Sequence, residues 1–195
     1  SQFGGQLALG IPGSTVEAVS VFRDGYLGEL SKRAKGQTFI TDKMPQNFRY
    51  IALICAAFPE AKIVHVQRSA EATCWSNFKN YFDSKGLGYS YNLSDTVRYY
   101  GLYQEIMHFW GQNYSDRIYN LDYDKLTEDQ EPETQRLIEY LELNWQDVCL
   151  APQKNKRSVK TASQQQVRQK IYTGSSQAWR RYEPFLDGVF DGLQS

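Results

Sequence analysis

An excess of charge of either sign is missing from this chain of 195 residues: Lys plus Arg and Asp plus Glu are equal at 22 each. Without a net positive field nothing drives non-specific binding to nucleic acid or to an anionic membrane, so any anion site has to be local. Long apolar runs are missing too. The longest, Ile51 to Phe58, is far too short to cross a bilayer, and the N-terminus has no charged region followed by an apolar one, so nothing points to membrane or secretion. Histidine is reduced to His65 and His108, with no carboxylate cluster beside them, and both read as structural. Three cysteines, Cys55, Cys74 and Cys149, stand in no metal-ligand spacing, and an odd count argues against a complete disulfide framework. All three read as buried thiols in a reducing, cytoplasmic setting.

What remains is enough apolar and aromatic residues for one sizeable core, so one domain over residues 1–195 is expected. The start, Ser1-Gln2-Phe3-Gly4-Gly5, has no Met and no evident strand before the first helical stretch, which fits a trimmed N-terminus. Three segments rich in β-branched and aromatic residues read as buried strands: Gln37 to Thr41, Lys62 to Val66 and Arg117 to Leu121. A helical pattern follows each, at Pro45 to Phe58, Ala70 to Phe82 and, past a short acidic linker, Pro132 to Leu141. Strands alternating with helices imply parallel pairing.

A longer helix is expected from about Ser94 to Tyr114, behind a Ser94-Asp95 cap, with Val97, Tyr100, Tyr103, Ile106, Met107 and Trp110 forming a core stripe. Asp83 to Asn92 reads as a surface loop able to cover a site, its tyrosines mainly packing. Lys154 to Lys160 is the one dense basic cluster, either a solvated face or part of the site.

In an open parallel sheet ligands bind beyond the carboxyl ends of the strands, where loops converge and helix N-termini present free N–H groups. Lys43, Arg68 and Tyr123 follow the three expected strands. Arg68 offers a planar fork of donors suited to phosphate, and Ser76 can add a hydroxyl from the next helix, provided the chain kinks at the helix start. The plainer alternative pairs Arg68 with Glu60 or Glu71 at the surface. A cation at Lys43, near a helix N-terminus, is locally unfavourable, which points to an anionic partner, and an ammonium there can neutralise charge growing on a leaving oxygen. Its alternative is a salt bridge to Asp42 or Asp122.

Asp42-Lys43-Met44-Pro45-x-Asn47-Phe48, then Phe58-Pro59-x-Ala61-Lys62-Ile63-Val64-His65 running into Arg68 and Ser76, resembles the sulfotransferases that use 3′-phosphoadenosine 5′-phosphosulfate (PAPS). The similarity is greatest to bacterial members with tetratricopeptide repeats upstream, themselves similar to the tyrosylprotein sulfotransferases. It continues through Asp122-Tyr123-Asp124-Lys125-Leu126 and Leu143-Asn144-Trp145 to Val159-Lys160-Thr161-Ala162-Ser163-x-x-Gln166-Val167-Arg168, Ile171-Tyr172 and Trp179-Arg180-x-Tyr182. Five motifs in the right order carry it, from about residue 15 to 186.

The resemblance implies a three-layer α/β fold with a central parallel sheet. It implies that Arg68 and Ser76 hold the 3′-phosphate, and that Tyr123 contacts the nucleotide. It lays Ser163 to Tyr172, including Gln166, Val167 and Arg168, over the nucleotide. Ser163 would also stand near the sulfuryl group, with Lys43 at the reacting centre. The implied chemistry is attack by an acceptor hydroxyl, on a small molecule or protein, at sulfur, with no metal required and the 3′,5′-bisphosphate leaving.

Two departures stand out. Relatives open with a strand and a phosphate-cradling loop of the Pro-Arg-Ser-Gly-Thr-Thr kind, which this sequence lacks; Gly10-Ile11-Pro12-Gly13-Ser14-Thr15 has neither a basic residue nor a preceding strand. Gln6 stands where relatives often carry a glutamate base, and a Gln takes no proton. Arg68-Ser69-Ala70 also replaces the Arg-Asp-Pro that relatives favour. An alternative is therefore a non-catalytic or truncated module that keeps nucleotide binding or serves in protein association. A small-molecule kinase is disfavoured by the missing loop and by the lack of paired magnesium-binding carboxylates. A sheet without its first strand exposes an edge, so a missing segment or a second copy is expected to complete it.

Overall fold

The computed structural model describes residues 16–34, 36–82, 86–155 and 168–193. In chain order they form α1 (Val16–Arg33), a 3-10 segment (Pro45–Tyr50) leading into α2 (Ile51–Ala57), β1 (Ile63–Gln67), α3 (Ala70–Lys79), α4 (Leu93–Asn113), β2 (Ile118–Asp122), α5 (Tyr123–Glu128) and α6 (Gln130–Tyr140). Further 3-10 segments are Gly88–Tyr91, Asp147–Leu150, Pro152–Lys154 and Ser175–Phe185. The class is α/β, helix-rich, with a small parallel sheet. The chain divides into two compact units, Ser1–Lys62 with Glu105–Arg117, and Ile63–Gln104 with Ile118–Ser195.

In the first unit, Pro45 opens the 3-10 segment, where its missing N–H costs no hydrogen bond. α2 buries Ile51, Cys55 and Ala57. Phe22 and Tyr26 of α1 close around Phe58, with ring centroids 6.0 and 5.0 Å away. Arg23 donates to the Ala57 carbonyl at 2.6 Å and to both Glu60 oxygens, and Trp110 Nε1 donates to the Phe48 carbonyl at 2.7 Å.

The expected first strand does not form. Residues 37–41 carry no ladder, and Phe39 is 70% exposed. β-branched and aromatic residues favour a strand only where a neighbouring strand accepts its hydrogen bonds. Among the described residues the sheet has only β1 and β2.

In the second unit, β1 and β2 pair in parallel from Ile63↔Ile118 to Gln67↔Asp122. Ile118 and Leu121 are buried, but β1 is half-exposed, with Val66 57% accessible, so only β2 is the buried strand expected. Tyr140 of α6 anchors the start of β1, its hydroxyl lying 3.2 Å from both the Ile63 nitrogen and oxygen. The core gathers Ala72, Cys74, Trp179 and Phe190, the last two edge to face at 5.3 Å, with Val97 and Tyr100 of α4 packed against them.

The cap of α4 is Asn92, whose Oδ1 accepts the Asp95 N–H at 3.1 Å, rather than Ser94-Asp95. The expected cover loop is partly a 3-10 turn: Ser90 is fully buried, and Tyr89 stacks on Tyr99 at 4.0 Å. Where the acidic linker is expected, α5 and α6 follow β2 almost without interruption. Of the cysteines, Cys55 and Cys74 are buried but Cys149 is only half-buried, its turn Asp147–Leu150 holding no buried residue. No helix among the described residues is long and apolar enough to cross a membrane.

Candidate functional site

The end of β1 delivers Arg68, and Ser69 follows as N-cap of α3. The end of β2 delivers Asp122, whose carboxylate caps α5 by accepting the N–H groups of Asp124 and Lys125 at 2.9 and 3.1 Å. Because Gln67 is in register with Asp122, Arg68 and Tyr123 leave the sheet side by side, and the Arg68 guanidinium carbon lies 5.4 Å from the centre of the Tyr123 ring.

Arg68 is half-buried and, among the described residues, pairs with no carboxylate. Its Nε donates to Ser176 Oγ at 2.7 Å, and Nη2 donates to Ser175 Oγ at 3.0 Å. The Ser176 hydroxyl in turn donates to Asp124 Oδ1, and Asp124 Oδ2 accepts the Ser69 backbone N–H at 3.3 Å. Both carboxylate oxygens of Asp124 are therefore engaged, and it is joined to Arg68 by way of a neutral hydroxyl rather than by a direct hydrogen bond. The guanidinium keeps its positive charge and its Nη1 donors for another acceptor.

One more atom points the same way. Ser69 Oγ is buried with no hydrogen-bond partner among the described residues, although Ser at an N-cap ordinarily accepts from the first helical turn. An orphaned hydroxyl beside an arginine with open donors, at the N-terminus of a ten-residue helix, suits a phosphate-sized anion.

Among the described residues Arg68 pairs with neither Glu60 nor Glu71, the surface alternative; Glu60 pairs instead with Arg23, whose guanidinium holds its carboxyl below the usual range. Ser76 lies about two turns along α3 from Ser69, half-buried, with no hydrogen bond to Arg68. Lys43 is in the first unit, exposed, just before Pro45, and makes no ion pair among the described residues; Asp42 instead accepts the Tyr26 hydroxyl at 2.5 Å. Burial and that bond push the Tyr26 pKa up to about 12. Ser163, Gln166 and Val167, and most of the basic cluster, lie outside the described residues, while Arg168 is exposed. Among the described residues no group of three or more His, Cys, Asp and Glu stands where it could hold a metal.

Motif reading missed Ser175, Ser176 and the part played by Asp124. The only local signal is Gly174, which takes φ +81° and starts the last 3-10 segment.

The profile described as "Sulfotransferase family" matches residues 16–147, which include Lys43, Arg68, Ser76, Tyr123 and Asp124 but not the Ser175-Ser176 pair. A protein of Aquifex aeolicus (strain VF5), described as "Uncharacterized protein", is 39% identical over 171 residues, covering 87% of this chain and 22% of that protein. The chain thus spans under a quarter of that relative's length. With well over half of its residues matched to the profile, the chain belongs to the sulfotransferase family.

Proposed function

We propose that this chain binds PAPS and directs its sulfuryl group to the hydroxyl of a small-molecule or protein acceptor. The observation that carries the reading is Arg68, held at the carboxyl end of a parallel strand by serine hydroxyls and an aromatic ring, with its charge uncompensated by any direct carboxylate. In this reading Arg68 and Ser69, with Ser76 farther along α3, bind the 3′-phosphate. Tyr123 supports Arg68 and lies against the nucleotide, and Gln166, Val167 and Arg168 cover it. Lys43 and Ser163 serve the reacting centre, the ammonium stabilising charge that develops on the leaving oxygen. PAPS, when bound, supplies the sulfuryl group and leaves as the 3′,5′-bisphosphate.

We place the reaction in a bacterial cytoplasm, since the relative is bacterial and the cysteines are free. Exposed Val66 on β1 supports completion of the sheet by a further segment or a second copy. A stable, well-folded monomer of these 195 residues in light scattering would contradict that.

Calorimetry with adenosine 3′,5′-bisphosphate against adenosine 5′-phosphate tests the nucleotide reading. The bisphosphate is expected to bind more tightly, and Arg68→Ala to erase the difference; equal affinity in the unaltered protein would sink the 3′-phosphate assignment. Transfer of labelled sulfate from PAPS to an acceptor tests catalysis. Bisphosphate binding without turnover would favour a non-catalytic module.

A further inference from the structure

Arg68 donates its side-chain hydrogen bonds to a segment more than a hundred residues away: Ser176 and Ser175 are 108 and 107 positions on in the chain. Ser176 is 5% exposed and stands in a directional relay. Its single O–H donates to Asp124, so its lone pairs face Arg68 and accept Nε–H. Ser175 fixes Nη2, and the Tyr123 ring lies under the guanidinium. With Nε and one Nη2 hydrogen held, rotation about the last side-chain bonds is removed, and the Nη1 edge is left as the presenting edge.

We infer that Ser175 and Ser176 are positioning residues, which set the orientation of Arg68 toward the nucleotide's 3′-phosphate through the Asp124–Ser176 relay. This rests on the reading of Arg68 given above. The use of hydroxyls matters. A carboxylate bonded directly to Arg68 would orient it equally well but would compete with the phosphate for its charge. A serine orients the fork while Asp124 occupies none of the guanidinium's donors, so the Nη1 edge stays open to the ligand. Asp124 also accepts the Ser69 N–H, which ties the same relay to the start of α3. Arg68, Ser69 and the Ser175–Phe185 segment are thus joined at one carboxylate.

A purely structural role is the competing explanation, because the same bonds fasten Ser175–Phe185 beside α3. The two differ in what they predict for ligand discrimination. In the full-length protein, Ser176→Ala is expected to lower the ratio of bisphosphate to 5′-phosphate affinity by about tenfold, the scale of one hydrogen bond to a charged group, and to leave 5′-phosphate binding unchanged. Ser176→Thr, which keeps the hydroxyl, should restore most of that ratio. A structural role alone lowers the melting temperature and leaves the ratio intact. If the unaltered protein discriminates and folded Ser176→Ala discriminates equally, the positioning role is overturned while the Arg68 reading stands. If the unaltered protein does not discriminate, the Arg68 reading fails and this inference with it. Should Ser176→Ala fail to fold, Ser175→Ala carries the test from a half-buried position: a fall in the ratio supports the inference, and an unchanged ratio overturns it.

Discussion

Arg68 stacks over Tyr123, guanidinium carbon to ring centroid 5.4 Å, and each is the first residue beyond its strand. The parallel register requires this, since pairing Gln67 with Asp122 leaves the next two residues nowhere to go but side by side. The contact is a cation–π interaction, and the phenol hydroxyl takes no part in it. Tyr123→Phe is therefore expected to keep the preference for adenosine 3′,5′-bisphosphate, whereas Tyr123→Ala lowers it by about three- to tenfold. Calorimetry on the two variants checks this. A larger loss in Phe than in Ala would mean that the hydroxyl, not the ring, is what matters.

The half of the site that follows the two strands was legible because strand ends and register are local properties of sequence. Ile63 to Gln67 and Ile118 to Asp122 are short apolar runs with helices after them, and parallel pairing does the rest. Ser175 and Ser176 were not legible. They lie just ahead of the Trp179-Arg180-x-Tyr182 match, in the same 3-10 segment but outside the matched residues, and their role exists only through tertiary contact with Arg68. Gln37 to Thr41 misled for the opposite reason, since strand propensity was present but no ladder was. The cap of α4 turned on a choice among three good capping residues, Asn92, Ser94 and Asp95. Asn92 holds it because Thr96 also donates to the Asn92 carbonyl, at 2.8 Å, which closes the turn one step earlier.

His65 gives the second unit a dependence on pH. Its Nδ1 lies 2.7 Å from Asn120 Oδ1 and its Nε2 2.5 Å from the Tyr103 hydroxyl. An amide oxygen only accepts, so Nδ1 carries the proton and Nε2 accepts from Tyr103, whose pKa burial pushes up to about 12. Burial lowers the His65 pKa from 6.5, outweighing the Asn120 bond that raises it. The unfolded chain therefore binds a proton that the folded one refuses. Stability from this group is fully present above pH 6.5 and is lost as pH falls from there through the lowered folded value. Urea midpoints between pH 7.5 and 5 should fall in the unaltered protein, and His65→Gln should remove part of that slope. An identical slope in the variant would exclude His65 as the source.

The cysteines should differ in reactivity. Cys74 is fully buried in the core, and desolvation pushes its thiol up to about 12. Cys55 is also buried, its thiol raised by desolvation against an opposing pull from Arg117. Cys149 is half-buried in a short 3-10 turn. Since the thiolate is the reacting species, a colorimetric thiol reagent near pH 8 is expected to label Cys149 first, and all three only after unfolding. Rapid native labelling of Cys74 would contradict its burial.

Ser69 offers a test in which stability and binding move in opposite directions. Its hydroxyl is buried, has no hydrogen-bond partner among the described residues and makes no cap bond, so the usual loss on replacing an N-cap serine by alanine does not apply here. Removing an unsatisfied buried hydroxyl relieves a desolvation cost, and Ser69→Ala is expected to leave the ligand-free protein as stable as before or about 1 kcal/mol more stable. The Ser69 backbone N–H still reaches Asp124, so the start of α3 is kept. If the hydroxyl serves the bound phosphate, the same variant gains less from adenosine 3′,5′-bisphosphate, and the ligand-induced rise in melting temperature shrinks. A variant less stable without ligand, yet stabilised by the bisphosphate as much as the unaltered protein, would show Ser69 to be a structural cap and remove it from the anion site.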